Sequence, residues 1–397
     1  MRLLLVNSLY PPRCYGGAER SVALLAEALA RDGVEVHVAT LAAGSPVPPS
    51  VEQGVTVHRL PIDQSYWPWG GPRPGPLARL RWHLRDRRNR PAARRFGALL
   101  DRVRPDLVHG HVLTGFGPAI WAEATARAIP LAQTLRDYAL ICPRSALFRG
   151  GRLCKARCTE CRLMTARTRA GSKRIDAVAA NSDFTLAAHR DAGRFEGVPG
   201  TRLFNIVPGP SSIARRVTQG PLTFGFLGRV EPEKGIEILL AALPRIGRAE
   251  WRLVIGGSGR DDYVRHLRRQ IDDRRIVWSG QVDAATFYAS IDVVVVPSLW
   301  PEPLPRTAVE AVAHGRSLIA ARSGGIPEVI ALAATSALYR ADDPDALADV
   351  MRGAIDDPGP WRAGGAASAG ALDPFSEASV VAAHHHFYAG AMAAARA

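Results

Sequence analysis

The sequence predicts an α/β fold built from two doubly wound domains with parallel sheets that face a cleft. The first observation is length, because 397 residues exceed what one ordinary hydrophobic core accommodates. The second is that short β-rich runs alternate with helical periodicity, which favours parallel sheets covered by helices on both faces. The third is a run of turn-forming residues over 205–220, which separates two similar halves.

The first half, residues 1–207, is predicted to form one domain with a cysteine-rich insert at 142–163. Its first helix spans 18–31, where apolar residues share one face and Gly33 follows as the C-cap. Its strands are short apolar runs at 3–6, 35–41, 107–109, 130–135 and 177–180. Residues 46–76 are rich in Pro and Gly and are predicted to be a loop over the sheet.

The second half is predicted to form another domain over residues 221–375, after a linker at 208–220. Its strands are the apolar runs at 222–227, 252–255, 276–278, 293–296 and 317–320. Residues 376–397 are predicted to be a separate helix, with Val380, His384, Phe387 and Tyr388 at core-like spacing. Three consecutive histidines in that helix, 384–386, cannot share one face, so a metal site is not expected there.

Composition indicates a soluble globular protein, with 47% hydrophobic and 22% charged residues. No run reaches the roughly 18 apolar residues of a membrane span, and the apolar opening over residues 1–6 is too short for a signal peptide. A cytoplasmic location is therefore expected, with peripheral contact at the inner face of the membrane as an extension of it.

The net charge of +14 is concentrated, because nine arginines and only Asp86 as an acid lie between Arg73 and Arg95. Such a field favours phosphates, acidic lipid headgroups or nucleic acid, although an arginine-rich solvated helix face gives the same pattern. No nucleic-acid-binding module accompanies the charge, so nucleic acid is not an expected partner.

Two carboxylates, Glu302 and Glu310, stand eight positions apart after the apolar run 293–296 and at the head of an Ala-rich helix. Ligands of open α/β sheets bind beyond the carboxyl ends of the strands, so both side chains are expected to face that crevice. Sugar hydroxyls are hydrogen-bond donors, and carboxylates accept from them. A charged helix N-terminus beside an ordinary surface glutamate is the alternative interpretation.

The turn over residues 228–235 combines glycines with two cations. It follows the first strand of the second half and opens a helix, whose N-terminus favours anions, and Gly228 lets the backbone approach a ligand. Arg229 and Lys234 add two positive charges, which suits a diphosphate leaving group.

Three further glycine turns follow strands. Residues 255–259 include Gly257 but depart from the dinucleotide spacing, so a nucleotide base or a closely packed helix explains them equally well. Gly324 and Gly325 offer backbone N–H groups to an anion or a sugar. Gly16 and Gly17 head the first helix, where they form either another anion-binding terminus or a plain loop.

In this order the motifs resemble the retaining glycosyltransferases of GT-B type, the large bacterial family 4 (glycosyl transferases group 1), with two Rossmann-like domains and an E-x7-E motif. The resemblance covers residues 1 to about 330. It is carried by Gly16-Gly17-Ala18-Glu19, Gly228-Arg229 with Lys234-Gly235, the pair Glu302 and Glu310, and Gly324-Gly325-Ile326-Pro327-Glu328.

The resemblance implies transfer of a hexose from a nucleotide-diphosphate sugar, UDP- or GDP-linked, to a hydroxyl acceptor with retention of anomeric configuration. The first domain would hold the acceptor, the second the donor, and the terminal helix would cross back onto the first. No cofactor is expected for catalysis, because cations would stabilise the leaving diphosphate. The implied catalytic residues are Glu302, Arg229, Lys234 and Arg136. The implied donor-binding residues are Gly16, Gly17, Gly228, Arg229, Lys234, Gly257, Glu302, Pro303, Leu304, Pro305, Glu310, Gly324 and Gly325.

Two positions depart from the family pattern. Arg136 precedes Asp137 and Tyr138 where the family usually has histidine, and an arginine binds carboxylate or phosphate but cannot act as a general base near neutral pH. An anionic sugar, an anionic acceptor or lost activity would each account for it. Pro305 replaces a common glycine and removes a backbone N–H, although proline suits a helix start.

Five residues are candidates for the acceptor side. Either of two histidines at the end of the strand 107–109 would supply the missing imidazole, unless both are structural. The candidates are Tyr10, His109, His111, Arg136 and Asp137.

Four of the five cysteines, here named the cysteine cluster, fall within twenty residues: Cys142, Cys154, Cys158 and Cys161. Their spacing suits a structural zinc site in a reducing compartment, with an iron–sulfur cluster or ordinary buried thiols as alternatives.

The function expected from these residues is sugar transfer in polysaccharide, glycolipid or other glycoconjugate biosynthesis. The first alternative is a nucleotide-sugar-binding protein without turnover. The second is a transferase for a lipid-linked acceptor, recruited to the membrane surface by the basic N-terminal domain.

Overall fold

The computed structural model describes residues 1–44, 47–70, 74–209, 220–247 and 249–396. The chain divides into two compact units. Unit 1 comprises Met1–Leu147, Cys154–Ile206 and Glu377–Ala397, and unit 2 comprises Phe148–Leu153 and Val207–Ser376. Most of the predicted linker, residues 210–219, lies outside the described residues.

Strands and helices alternate along most of both units. The strands are β1 (Arg2–Val6), β2 (Glu35–Ala42), β3 (Ser50–Glu52), β4 (Val55–Pro61), β5 (Leu107–Gly110), β6 (Leu131–Leu135), β7 (Phe148–Arg149), β8 (Arg152–Leu153), β9 (Ala177–Ala180), β10 (Gly200–Arg202), β11 (Leu222–Leu227), β12 (Trp251–Gly256), β13 (Ile276–Gly280), β14 (Val293–Val296), β15 (Ser317–Ala321) and β16 (Ser336–Tyr339). The helices are α1 (Gly17–Arg31), α2 (Pro76–Asp86), α3 (Arg90–Val103), α4 (Ala119–Thr125), α5 (Thr159–Met164), α6 (Ala166–Ser172), α7 (Asp183–Asp191), α8 (Ile236–Ile246), α9 (Asp261–Gln270), α10 (Ala284–Ala289), α11 (Arg306–Ala313), α12 (Ile326–Ile330), α13 (Pro344–Asp356), α14 (Pro358–Ala363) and α15 (Glu377–Ala394).

Unit 1 is organised around an eight-stranded sheet in the order β10-β9-β6-β5-β1-β2-β4-β3. All neighbouring strands run parallel except β3, which pairs antiparallel with β4. Leu3 and Leu5 of β1 pack into one hydrophobic cluster, whereas Leu4 and Val6 pack into another. Because alternate residues of a strand point to opposite faces, the two clusters are the layers that cover the two faces of the sheet.

Helix α15 belongs to unit 1 and packs against α1, β6 and β9. Val380, Phe387 and Tyr388 lie in the same cluster as Leu3 and Leu5, and His384 is buried beside them. At the helix start, the Arg31 guanidinium lies 2.8 Å from the Glu377 carboxylate.

Unit 2 is organised around a parallel six-stranded sheet in the order β13-β12-β11-β14-β15-β16. The central strand β11 pairs with β12 on one side and with β14 on the other. Its single large cluster is formed by the sheet with α8 and α13 and includes Leu239, Leu253, Val293 and Leu347.

The predicted loop over 46–76 is wrong for part of its length, because β3 and β4 lie within it. β4 extends the sheet beside β2, with Val38 opposite Val57. Val55 and Val57 are fully buried, and this two-residue alternation was obscured by the prolines and glycines on either side. Residue 46 and residues 71–73 of that stretch lie outside the described residues.

Candidate functional site

In unit 2, the loops that follow β11 and β14 lie on either side of a topological switch point of the sheet. From β11 the chain builds outward through β12 and β13, then crosses over to β14, β15 and β16 on the other side. Open α/β sheets bind ligands outside the carboxyl ends of the strands where this reversal occurs. Lys234 follows β11 and Glu302 follows β14, so the topology brings their loops to this point.

Lys234 and Glu302 form an ion pair in which Nζ lies 2.6 Å from Oε1. The Ser298 hydroxyl donates to the same carboxylate oxygen at 2.6 Å. The Glu302 side chain is only 7% exposed and that of Lys234 is 20% exposed, and Nζ stands 5.1 Å from the centre of the Trp300 ring. The carboxylate is therefore fixed in position by two donors and shielded from water, while the lysine side chain is partly exposed.

Two glycines in this region are required by close packing between loops. Gly235 has φ +70°, and a Cβ there would lie 1.8 Å from the carbonyl oxygen of Pro297. Gly257 has φ +116°, and a Cβ there would lie 1.8 Å from the carbonyl oxygen of Gly228. These glycines hold the loops after β11, β12 and β14 against one another, which explains them without any ligand.

The turn of Gly324 and Gly325 packs on the backbone of the loop after β14 that carries Glu302, here named the acidic loop. The Gly325 N–H donates to the Glu302 carbonyl at 2.7 Å, and a Cβ on Gly324 would lie 2.3 Å from that oxygen. Pro303, Leu304 and Pro305 of the acidic loop are buried. Their packing and this hydrogen bond position the backbone that carries Glu302.

Arg229 is held by two glutamates that were not among the site residues predicted from the sequence. Its guanidinium lies 2.7 Å from Glu231 Oε2 and 3.7 Å from Glu233 Oε1. Burial and a hydrogen bond that the protonated Glu233 carboxyl donates to Glu231 raise the pKa of Glu233 to about 7. The only signal in the sequence was the spacing of two acids around Pro232, which is common in solvated turns.

Glu310 lies on α11 and is held by two neighbours of its own unit. Arg306 Nε donates to Oε1 at 2.5 Å, and the Tyr288 hydroxyl donates to Oε2 at 3.2 Å. Glu302 and Glu310 therefore both have polar partners within unit 2, but the partners differ. Glu302 pairs with a lysine and Glu310 with an arginine and a phenol.

In unit 1, Gly16 is the N-cap of α1 and both Gly16 and Gly17 are exposed. The Gly16 N–H donates to Glu19 Oε2 at 3.0 Å, so an acid of the helix itself occupies that donor. Tyr10 lies in the hydrophobic core and is 4% exposed. Burial raises the pKa of its phenol well above the usual range.

The two histidines at the end of β5 have different surroundings. His109 has both ring nitrogens bonded, Nδ1 to the Tyr388 hydroxyl at 3.0 Å and Nε2 to the Thr134 hydroxyl at 2.7 Å. His111 Nδ1 accepts a hydrogen bond from Arg136 Nε at 3.1 Å. His109 is therefore engaged within the fold, whereas His111 lies with Arg136 beside a cavity.

Arg136 also donates to the Asn205 side chain, and Asp137 accepts from the Ala139 N–H at 2.8 Å. Burial raises the pKa of the Asp137 carboxyl to about 6. His111, Arg136 and Asp137 all line the same cavity in unit 1. The structure thus brings together three of the five acceptor-side candidates.

At least three members of the cysteine cluster lie close together, since Cys161 interacts with both Cys142 and Cys158. Cys158 Sγ and Cys161 Sγ lie 3.6 Å apart. Hydrogen bonding from the Cys161 N–H lowers the pKa of Cys158, whereas burial raises that of Cys161. Among the described residues no group of three or more His, Cys, Asp or Glu side chains is placed to hold a metal ion, and the zinc site stays a prediction.

Within the described ranges, no helix combines the length and the apolar character needed to span a membrane.

Two family models match the chain. The first, described as a glycosyl transferase 4-like domain, matches residues 16–204, and the second, described as glycosyl transferases group 1, matches residues 221–357. The two matches fall on the two halves inferred from the alternation of strands and helices.

Curated relatives extend over most of the chain. An uncharacterised 42.6 kDa protein in the cps region of Klebsiella pneumoniae is 29% identical over 329 residues, which are 83% of this chain and 87% of that protein. The glycogen synthase of Mycobacterium tuberculosis is 28% identical over 396 residues, covering 90% of this chain and 87% of that protein.

Among solved structures, Anabaena HepE in complex with UDP aligns with a TM-score of 0.70 at 20% identity, covering 98% of this chain and 100% of that one. The likeness confirms the predicted GT-B type fold, with two Rossmann-like domains.

Proposed function

From the premise that this chain is a glycosyltransferase, with a glycosyl transferase 4-like domain followed by a group 1 domain, we propose that it transfers a hexose from a nucleotide-diphosphate sugar to a hydroxyl acceptor with retention of configuration. The observation that carries the proposal is the buried Lys234–Glu302 pair at the switch point of unit 2. The acceptor glycoconjugate belongs to polysaccharide, glycolipid or related biosynthesis.

The proposed roles follow from the chemistry of each side chain. Glu302 is an acceptor-only group once ionised, so it suits sugar hydroxyls, which donate. Lys234 and Arg229 carry the positive charge that a departing nucleoside diphosphate requires, and these two cations would replace a metal ion in that task. The proposal therefore assigns leaving-group stabilisation to residues of unit 2 alone.

A UDP-sugar or a GDP-sugar is the proposed donor. The HepE structure contains UDP, and a further HepE structure contains UDP-glucose. UDP is therefore the first nucleotide to test. Glu310 is proposed to contact the ribose, with Arg306 and Tyr288 positioning its carboxylate.

The experiment is a donor panel with the full chain. Thermal shift with UDP-, GDP-, ADP- and dTDP-sugars identifies the donor, since a ligand that binds the folded state raises its melting temperature. Product formation with that donor, followed by proton NMR of the anomeric linkage, then tests transfer and retention. Selective stabilisation without product across a broad acceptor panel would favour a binding protein without turnover over a transferase.

A second role, recruitment to an anionic membrane surface, is favoured by helix α2. Leu77, Leu80 and Leu84 are exposed on this helix at the spacing of one face. Exposed arginines, among them Arg81 and Arg85, accompany them. An apolar stripe with basic neighbours is the pattern of a helix that lies in the headgroup region of a bilayer.

Co-sedimentation with vesicles of phosphatidylcholine, with and without phosphatidylglycerol, tests this role. The wild type is expected to sediment only with the anionic vesicles, and a Leu80→Ser/Leu84→Ser variant is expected to stay in the supernatant. Leu163→Ser, which changes an exposed leucine outside α2, is the matched control. Equal sedimentation with both vesicle types would contradict membrane recruitment by α2.

A further inference from the structure

Unit 1 contains a cavity of its own, lined by charged as well as apolar side chains and separate from the residues assigned to the donor. Its volume is about 70 Å³, and all of its lining residues belong to unit 1. They come from the end of α2, the loops after β5 and β6, and helices α5 and α6. The cavity therefore lies at the carboxyl ends of two neighbouring parallel strands, where an open α/β sheet places a ligand.

Three guanidinium groups line this cavity, those of Arg87, Arg136 and Arg167. Neither Arg87 nor Arg167 has a carboxylate within ion-pair distance among the described residues, and the buried Nε of Arg87 has no hydrogen-bond partner there. The pKa of Arg167 is lowered, first by desolvation and then by the like charges of Arg88, Arg87 and Arg90. Like charges gathered without counterions are unfavourable in the empty protein, and a bound anion would relieve that repulsion.

His111, which lines the same cavity, carries a ring N–H without a partner among the described residues. Arginine only donates, so the contact from Arg136 Nε requires His111 Nδ1 to be the acceptor. Burial and neighbouring positive groups lower the pKa of His111 well below its usual value, which keeps the ring neutral. The proton of the neutral ring must then be on Nε2, which is buried and has no partner within the described part of the chain.

The acids of the cavity are already committed to backbone donors. Asp86 Oδ1 accepts from the Gly115 N–H at 3.0 Å and from Gln64 at 3.3 Å, and Asp137 accepts from the Ala139 N–H at 2.8 Å. Burial raises the pKa of Asp86 to about 7 and that of Asp137 to about 6. At neutral pH the three guanidiniums thus outnumber the ionised carboxylates.

The cavity is large enough for a compact tetrahedral anion. A volume of about 70 Å³ holds on the order of five water molecules. A phosphate monoester carries a charge of about −1.5 to −2 and three acceptor oxygens, and guanidinium forks bind it bidentately. A carboxylate offers one charge and two oxygens to the same three cations.

We propose that this cavity binds a phosphate group on the acceptor, so that the transferase acts on a phosphorylated or diphosphate-linked acceptor rather than a neutral one. The inference rests on the proposed function and names its acceptor class. Arg87, Arg167 and His111 Nε2–H bind the phosphate, and Arg136 keeps His111 in the tautomer that donates.

The experiment measures binding of three soluble probes and one lipid probe by calorimetry at low and at moderate salt. The probes are glucose 6-phosphate, glucuronate and glucose, and farnesyl diphosphate in detergent separates a lipid-linked source from a soluble one. The wild type is expected to bind one of the two phosphorylated probes at least tenfold more tightly than glucose or glucuronate, and salt is expected to weaken that binding. Equal affinity for glucose and both phosphorylated probes would overturn the proposal, as would tighter binding of glucuronate.

Matched variants identify the cavity as the site. Arg87→Gln/Arg167→Gln is expected to lose at least tenfold in affinity for the phosphorylated probe, and the milder Arg167→Gln is expected to lose part of it. Arg94→Gln removes the same charge from an exposed position of α3 outside the cavity and is expected to bind as the wild type does. Unchanged binding in the folded double variant would overturn the proposal.

Donor binding is followed in parallel to separate the two hypotheses. Stabilisation by UDP-glucose, or by the donor that the panel identifies, is expected to persist in the double variant because neither Arg87 nor Arg167 is among the residues assigned to the donor. A wild type that no nucleotide sugar stabilises would contradict the proposed function. A wild type that binds donor but does not prefer a phosphorylated acceptor would contradict this inference alone.

Discussion

Replacing Lys234 by methionine should both destabilise unit 2 and weaken donor binding. The lysine lies 2.6 Å from a Glu302 side chain that is only 7% exposed. Removing one partner of a buried ion pair generally costs about 3–5 kcal/mol, because the remaining charge is left uncompensated. Ser298 continues to donate to Glu302 Oε1, and Lys234 is itself 20% exposed, so the expected loss is smaller, about 2–3 kcal/mol.

A double-mutant cycle separates the ion pair from other effects of the substitution. In Lys234→Met/Glu302→Gln no charge remains, and the amide oxygen can still accept from Ser298. The double variant is therefore expected to unfold at a higher urea concentration than Lys234→Met alone. If Lys234→Met unfolds at the same urea concentration as the wild type, the burial argument for this pair is wrong.

The effect on donor binding is measured with the same proteins. A hydrogen bond to a charged group contributes about 1.5–3 kcal/mol, so loss of one contact to a diphosphate should weaken nucleotide-sugar affinity by roughly 10- to 150-fold. Lys173→Met, an exposed lysine of unit 1, is the matched control and should bind the donor as the wild type does. Unchanged affinity in folded Lys234→Met would remove Lys234 from the proposed diphosphate site.

The remaining predictions concern backbone packing, pH and metal. Gly235→Ala should lower the unfolding free energy by more than about 2 kcal/mol, because its φ is +70° and its Cβ would lie 1.8 Å from a carbonyl oxygen. Gly353→Ala, in the open middle of α13, should raise it by about 0.5–1 kcal/mol, and a result in the reverse order would contradict the packing argument. The pKa of Asp86 is raised in the folded state from 3.8 to about 7, so its contribution to stability is present below pH 4 and is lost as pH rises through 7. Asp86→Asn should therefore lose less stability than the wild type between pH 4 and pH 8, by roughly 1–2 kcal/mol after solvent screening, and parallel urea profiles would show that Asp86 does not titrate in this range. If the cysteine cluster binds zinc, protein purified without chelators should contain close to one equivalent by mass spectrometry, and less than about a tenth of an equivalent of zinc or iron would exclude a metal.

The strands were predictable where burial on both faces makes them continuously apolar. Val293–Val296 and Ala177–Ala180 have the predicted bounds, because each is a four-residue run buried throughout. β4 was missed because its inward valines alternate with partly exposed residues and because prolines flank it. A strand near the edge of a sheet has a less continuous apolar pattern in the sequence than a central strand does.

The candidate site was predictable at the level of loops but not of partners. Spacing after the strands indicates that Lys234 and Glu302 lie near the same crevice, since parallel strands end at a common edge. It does not indicate that the two side chains pair, nor that Glu231 and Glu233 hold Arg229. Side-chain partners depend on rotamers and on packing between loops distant in sequence, which no local pattern records.

The two units differ in whether the cations proposed to bind anions have acidic partners of their own. In unit 2 each cation assigned to the donor already has an acid beside it, Glu302 for Lys234 and Glu231 for Arg229. Such pairs keep the loops ordered and limit the net charge that an empty site exposes, so a diphosphate has to compete with a carboxylate for each cation. In unit 1 the cations Arg87 and Arg167 have no such partner among the described residues. An anion that binds in that cavity lies against uncompensated positive charge. The arginine-rich stretch between residues 73 and 95 supplies part of this charge through Arg87.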